Sequence, residues 1–281
     1  MTGSIGNSMH EIKPGQSIDL LKELHILTRD GKMNQDSRRK LKQVYHLYQF
    51  IEPLLQEIKQ RHTNIQLVDH GAGKSYLGFI LYDLFFKTLN DVSHIYGIET
   101  RDDLVKRSQE LASRLNFQGM SFLNLSVEQS IESATLPAKV DVVTALHACN
   151  TATDDAIRFA LKKNAQFIVL VPCCQAEVAT ALRKNKGKDL AKNILTELWR
   201  HPIHTREFGS HITNVLRCLQ LEAHGYQVNV TELVGWEHSM KNELIIANFK
   251  NLPCNRPTER LKEILQTLGL EEMNGRFFTQ M

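Results

Sequence analysis

The densest chemistry in the chain lies in Val68-Asp69-His70-Gly71-Ala72-Gly73-Lys74-Ser75, which leaves one apolar run and enters another. Glycines at such a point let the backbone turn tightly and approach a ligand with no Cβ in the way. Three ligand classes use a loop of this kind, and spacing separates them. A dinucleotide fingerprint requires another glycine three residues beyond the second, where Tyr76 stands. A triphosphate loop ends in Gly-Lys-Ser, as Gly73-Lys74-Ser75 does, but it also requires a glycine at the position of Val68. The loop is therefore too short to wrap a triphosphate, and neither later strand ends in the acidic metal ligand such sites use. In the third class, S-adenosylmethionine, an acid and two glycines after the first strand face the methionine part, and an acid after the second strand takes the ribose hydroxyls. Asp69, Gly71, Ala72 and Gly73 stand in the first place, with Asp69 near the ligand directly or through water. Glu99, immediately after Ile95-Tyr96-Gly97-Ile98, stands in the second. An ionised carboxylate suits a pair of hydroxyls because charge-assisted hydrogen bonds are the stronger kind. The simpler roles are a helix cap for Asp69 and a solvated strand end for Glu99.

The elements that would position these groups follow from periodicity. Ser17 to about Arg29 carries Ile18, Leu21, Leu24 and Ile26/Leu27 at near-helical spacing, ended by Gly31. Asn34 caps a second helix with a stripe of Leu41, Val44, Tyr45, Tyr48, Ile51 and Leu55, kinked or broken at Pro53. Beyond Asn64 the pattern alternates. Strands are expected at 65–68, 95–98, 120–123, 140–146 and 167–171, with helices at 76–89, through Leu104, Leu111 and Leu115, and at 153–163. Such alternation means a parallel sheet with helices on both faces. The end differs: a long helix through Val215 and Leu219 leads to Gln227–Val234 and Leu244–Phe249, spaced as an antiparallel hairpin. The expected fold is α/β, a doubly wound Rossmann-like seven-stranded sheet with six strands parallel and one reversed, and an N-terminal helical cap. The expected divisions are a flexible leader at 1–16, the cap at 17–62, the catalytic domain at 63–250 with a basic insertion at 183–206, and a C-terminal helix and tail at 251–281.

Composition bounds the class. The chain has 281 residues, 42% hydrophobic and 23% charged, the balance of a soluble globular protein. No apolar run approaches a membrane span, and the first residues lack the apolar core of a signal peptide. Five cysteines, two of them adjacent, make a poor disulfide framework and fit a reducing cytoplasm. The formal net charge of +3 is unevenly spread. Residues 32–42 hold five positive charges against one negative, and residues 183–206 hold seven against two, so the remainder is acidic. Two basic segments on an acidic body point to an anionic partner, against the plainer reading of two solvated surfaces.

Taken together, the chain resembles the class I S-adenosylmethionine-dependent methyltransferases, and more narrowly the methyltransferase domain group Methyltransf_32. The resemblance spans about residues 35–250. It rests on the glycine loop through Leu77, on Leu146-His147-Ala148-Cys149, Thr153-Asp154 and Val171-Pro172-Cys173-Cys174, and on Glu237-His238-Ser239-Met240-Lys241-Asn242. The group usually has glycine where Ser75 and Asn150 stand; the second departure bears on the substrate mouth. The resemblance implies that Ser126 and Val127 flank the adenine and that Leu146 and His147 lie near the sulfonium. Three chemistries compete at the ends of the fourth and fifth strands. In transfer to oxygen or nitrogen, His147 is the natural base, with packing as its plainer role. In transfer to a ring carbon, Cys149 or Cys173 would be the nucleophile, although buried cysteines are commonly core. A zinc site is disfavoured because Cys173 and Cys174 lack the usual two-residue spacer, so no metal is expected. The acceptor expected from charge is RNA, in particular transfer RNA, held by Arg38, Arg39, Lys74, Arg183, Lys184, Lys186 and Lys241, with Lys40, Lys42 and Lys188 adding charge and Trp199, His201 and His204 as stacking surfaces. The competing readings are a protein or small anionic acceptor, or a cofactor-binding interaction protein without transfer activity.

Overall fold

The computed structural model describes residues 12–89, 92–146, 151–172, 176–184, 198, 200–233 and 243–278. They form a seven-stranded sheet in the order β3-β2-β1-β4-β5-β7-β6. The strands are β1 (Gln66–His70), β2 (His94–Glu99), β3 (Met120–Asn124), β4 (Val142–Leu146), β5 (Phe167–Val171), β6 (Tyr226–Glu232) and β7 (Glu243–Phe249). The chain divides into two compact units, Met1–Pro137 with Leu233–Met240, and Ala138–Glu232 with Lys241–Met281.

In the first unit β1, β2 and β3 are parallel, with Asp69 opposite Gly97 and Glu99 opposite Asn124. The central β1 is buried on both faces, as inner parallel strands require, whereas the edge strand β3 buries Met120 and Phe122 and leaves Ser121 and Leu123 half-buried. Helix α1 (Ile18–Glu23) starts on Ser17, whose hydroxyl accepts the Leu20 N–H. It stops well short of the expected Arg29. His25 turns at φ 55°, and the Ile26 and Leu27 N–H groups both return to the Leu21 carbonyl, so Leu24, Ile26 and Leu27 are buried from a turn. Apolar spacing set their burial without fixing the helix length. Helix α2 (Gln35–Arg61) is capped by Asn34, which accepts the Ser37 N–H, and it runs unbroken through Pro53. Pro53 and Gln49 are exposed, so the carbonyl that Pro53 leaves without its N–H partner can turn to water. Helix α3 (Tyr76–Leu84) follows β1 and gives way to a 3₁₀ turn at Phe86–Thr88. Its buried Asp83 accepts the Ser17 N–H and pairs with Lys87, tying the start of α1 to α3. Helices α4 (Asp102–Arg114) and α5 (Val127–Glu132) follow β2 and β3.

In the second unit β4 and β5 are parallel, β7 runs antiparallel to β5, and β6 antiparallel to β7. One reversed strand at this end of the sheet is the expected arrangement. Helix α6 (Ala152–Lys162) connects β4 to β5. Helices α7 (Glu177–Lys184), α8 (Pro202–Glu222) and α9 (Asn255–Thr267) share a core of Val178, Leu182, Leu216, Leu219, Leu261 and Leu265. A short α10 (Asn274–Phe277) adds Phe277 to it. Gly209 lets α7 and α8 approach closely, since a Cβ there would stand 2.8 Å from Ala179.

Candidate active site

The loop after β1 is a left-handed turn repeated three times. Gly71, Gly73 and Ser75 have φ of 69°, 58° and 50°. Glycine takes that conformation without strain; Ser75 does not. The buried Ser75 compensates by donating its hydroxyl to the Asp69 carboxylate at 3.4 Å. Between the glycines, the Ala72 N–H donates to the Ile98 carbonyl at 2.9 Å, pinning the loop to the end of β2. In β2 beside the loop, Gly97 has no room for a side chain, because a Cβ there would fall 2.5 Å from the Phe122 ring.

Glu99 closes the cradle. It is 7% exposed, and its Oε2 accepts the Gly73 N–H at 2.8 Å. Its Oε1 accepts the Arg101 backbone N–H at 3.0 Å, and the Arg101 guanidinium reaches both oxygens at 3.1 Å. Burial alone would raise the carboxyl's pKa, but the hydrogen bonds from Arg101 and Gly73 outweigh it and hold Glu99 below the ordinary glutamate value. From β3, the Asn124 side-chain amide donates to the Glu99 and Thr100 carbonyls, fixing the two strand ends together. Two residues further on, Ser126 caps α5 in a reciprocal capping box with Gln129, and Val127 is buried.

This donor set discriminates between ligands. In a phosphate-binding loop the backbone N–H groups point at the anion. Here the Gly73 N–H is taken by a carboxylate, and an ionised carboxylate at the loop repels phosphate. Two acceptor oxygens suit a vicinal diol instead. The structure thus brings Asp69, Gly71, Ala72, Gly73 and Glu99 together at the ends of β1 and β2, with acceptor oxygens beside a loop free of bulky side chains, an arrangement that fits S-adenosylmethionine. Lys74 is exposed beside them and lines a groove of about 220 Å³ with His25, Tyr76 and Arg107.

The second unit holds the remaining candidates. Leu146 ends β4 half-buried, and the buried Pro172 follows β5. His147, Cys149, Asn150, Cys173, Cys174, Lys186, Lys188, Trp199 and Lys241 lie outside the described residues. Arg183 and Lys184 are exposed on the last turn of α7, where the Arg183 Nε donates to the Ala179 carbonyl. Arg39 and Lys40 are exposed on the first turns of α2, with Arg39 3.7 Å from Asp36. Among the described residues no group of His, Cys, Asp and Glu could hold a metal ion, and no helix is long and apolar enough to cross a membrane.

Sequence reasoning named Asp154 only as part of a motif. In the structure it is the centre of a buried ion network. Arg217, fully buried on α8, donates to its two oxygens at 2.6 and 2.8 Å, and Arg276 on α10 adds a third bond at 2.9 Å while pairing with Glu177. The network joins the first turns of α6 and α7, which follow β4 and β5, to α8 and the C-terminal segment. A lone arginine in the apolar run Val215-Leu216-Arg217-Cys218-Leu219 was the signal available.

The fold and cradle define a methyltransferase domain. The chain belongs to the methyltransferase domain family Methyltransf_32, matched over residues 39–181, and S-adenosylmethionine is its cofactor. It is 24% identical over 239 residues to a glutathione S-transferase C-terminal domain-containing protein of Bos taurus, and 22% identical to that of Mus musculus. Each alignment covers 79% of this chain, which spans only 35% of those relatives' length. Among solved structures, magnesium protoporphyrin IX methyltransferase from Synechocystis PCC 6803 with bound S-adenosylhomocysteine is similar at a TM-score of 0.46 and 14% identity, covering 83% of this chain and 95% of that one. An rRNA methylase from Streptococcus thermophilus is similar at 0.40 and 10%, covering 68% and 89%.

Proposed function

We propose that this chain transfers a methyl group from S-adenosylmethionine to an oxygen or nitrogen of RNA, with transfer RNA the first acceptor to test. The observation that carries the cofactor half is Glu99, an ionised acceptor buried at a strand end and bonded to the loop that must receive the ligand. In this reading Glu99 accepts the ribose hydroxyls, and the backbone at Gly71 and Gly73 leaves room for the methionine end. The same reading assigns Asp69 to the methionine end, Ser126 and Val127 to the adenine, and Leu146 and His147 to the sulfonium. The cofactor supplies the electrophilic methyl. The chain's task is to align the acceptor and take its proton, for which His147 is the candidate base.

The acceptor half rests on charge. Exposed Arg39, Lys40 and Lys42 on α2, and Arg183 and Lys184 at the end of α7, belong to the two basic segments of an otherwise acidic chain. Each phosphate such groups neutralise steepens the fall of log affinity with log salt by about 0.7 to 0.9. Bulk transfer RNA, titrated across a salt series with tritiated cofactor present, tests both halves. The expected result is binding at low salt that weakens steeply, and label incorporated into the RNA. Binding that is absent at low salt, or unmoved when Arg183, Lys184, Lys186 and Lys188 are all changed to Ala, would refute the RNA reading.

A further inference from the structure

The Glu99 carboxylate has about four lone-pair directions. In the structure five donors converge on it: the Gly73 N–H on Oε2, the Arg101 N–H and Thr100 hydroxyl on Oε1, and the Arg101 Nε and Nη2 on one oxygen each. No place is left for two incoming hydroxyl groups. The same guanidinium lies across the glycine loop, with Nη2 at 3.7 Å from where a Cβ on Gly73 would be. Of the five donors, the two guanidinium N–H groups and the hydroxyl of the exposed Thr100, at 3.4 Å, are free to leave, which opens about two of the four directions. The Arg101 side chain is 63% exposed against 8% for Glu99, whereas the Gly73 and Arg101 N–H groups are fixed backbone.

We propose that the Arg101 side chain gates the cofactor site, occupying the ribose position on Glu99 and leaving it when the cofactor enters. This rests on Glu99 being the ribose acceptor. The two backbone N–H groups keep the carboxylate aimed without the guanidinium, so the side chain competes with the ligand rather than positioning its receptor. A guanidinium that is itself largely in solvent is held weakly enough to yield on binding. Its charge also opposes the sulfonium until it swings away. The gate therefore lowers apparent affinity by the fraction of time it is closed.

The experiment is calorimetry of S-adenosylmethionine and of S-adenosylhomocysteine on the full chain, with Arg101→Ala, Arg101→Gln, Glu99→Ala and the Arg101→Ala/Glu99→Ala double variant. Arg101→Ala is expected to tighten both ligands by about two- to fivefold, the size of a surface ion pair. Arg101→Gln is expected to tighten them less, and the gain to vanish in the Glu99→Ala background. Affinity that is unchanged or weaker in Arg101→Ala, with Glu99→Ala weaker than wild type, would overturn the gate and leave the ribose assignment standing. Unchanged affinity in Glu99→Ala would overturn both, the ribose assignment first. Circular dichroism of each variant separates a binding change from a folding defect.

Discussion

Replacing Arg217 by Met tests the buried network in the second unit directly. Arg217 is fully buried and donates to both oxygens of Asp154, at 2.6 and 2.8 Å, and to Asn214 at 3.2 Å. Methionine fills similar apolar volume but offers no donor. Removing one partner of a buried ion pair costs about 3–5 kcal/mol, because the other charge is left without compensation. Arg276 keeps its 2.9 Å bond to Asp154, and its side chain is 18% exposed, so part of the compensation survives. The expected loss is therefore at the low end, about 3 kcal/mol. A domain of this size loses about 2–4 °C in melting temperature per kcal/mol, so the midpoint should fall by roughly 6–12 °C. Thermal unfolding followed by circular dichroism, with urea midpoints as a second measure, reads the change. Adding Asp154→Leu should recover much of the loss, since an apolar pair replaces an orphaned charge. A midpoint within about 2 °C of wild type for Arg217→Met, under 1 kcal/mol on the same scale, would refute the reasoning: Asp154 would then be compensated without Arg217.

Three further outcomes follow from the first unit. Gly97→Ala places a Cβ 2.5 Å from the Phe122 ring, which is itself packed on Phe79 at 5.4 Å between centroids. The overpacking should cost about 1–3 kcal/mol in urea unfolding, and Phe122→Leu in the same chain should restore part of it. Because hydrogen bonds hold the folded-state pKa of Glu99 below the ordinary glutamate value, its ionised form contributes stability above that value of about 4.3, and the contribution is lost as pH falls through the lower, folded-state pKa. Urea midpoints of wild type and Glu99→Gln should stay apart above about pH 5 and converge in acid; a gap that persists or widens in acid would contradict the assignment. Asn124→Ala removes the two amide bonds to the Glu99 and Thr100 carbonyls. It should cost about 1–2 kcal/mol of stability, each bond being worth about 1 kcal/mol, and equal melting curves would show the strand ends are held otherwise.

Much of this was legible in the residue order because it depends on local rules. The alternation of apolar runs places the strands, since parallel strands are buried on both faces. Phe167–Val171 falls as expected to the residue, and the reversed β7 follows from a hairpin connection too short for a crossover. The glycine loop and Glu99 were readable because a ligand that approaches backbone requires particular residue types at fixed offsets. Helix ends were less readable. Spacing alone extends α1 to Arg29, but the turn at His25 lets the same apolar residues reach the core without a helix.

The sequence by itself determined the family and the class of sheet, and it singled out the glycine loop and Glu99, because motif spacing and hydrophobic period are properties of neighbours along the chain. Tertiary structure alone decided what those groups are doing before a ligand arrives. Gly73 and Glu99 are 26 residues apart, and Asp154 and Arg276 are 122 apart. No local rule relates such pairs. That Arg101 fills the lone pairs of Glu99, and that a single buried aspartate joins four helices, depends on where side chains end in space. Hydrogen-bond energy falls off within an ångström of the right distance, a precision that no spacing along the chain encodes.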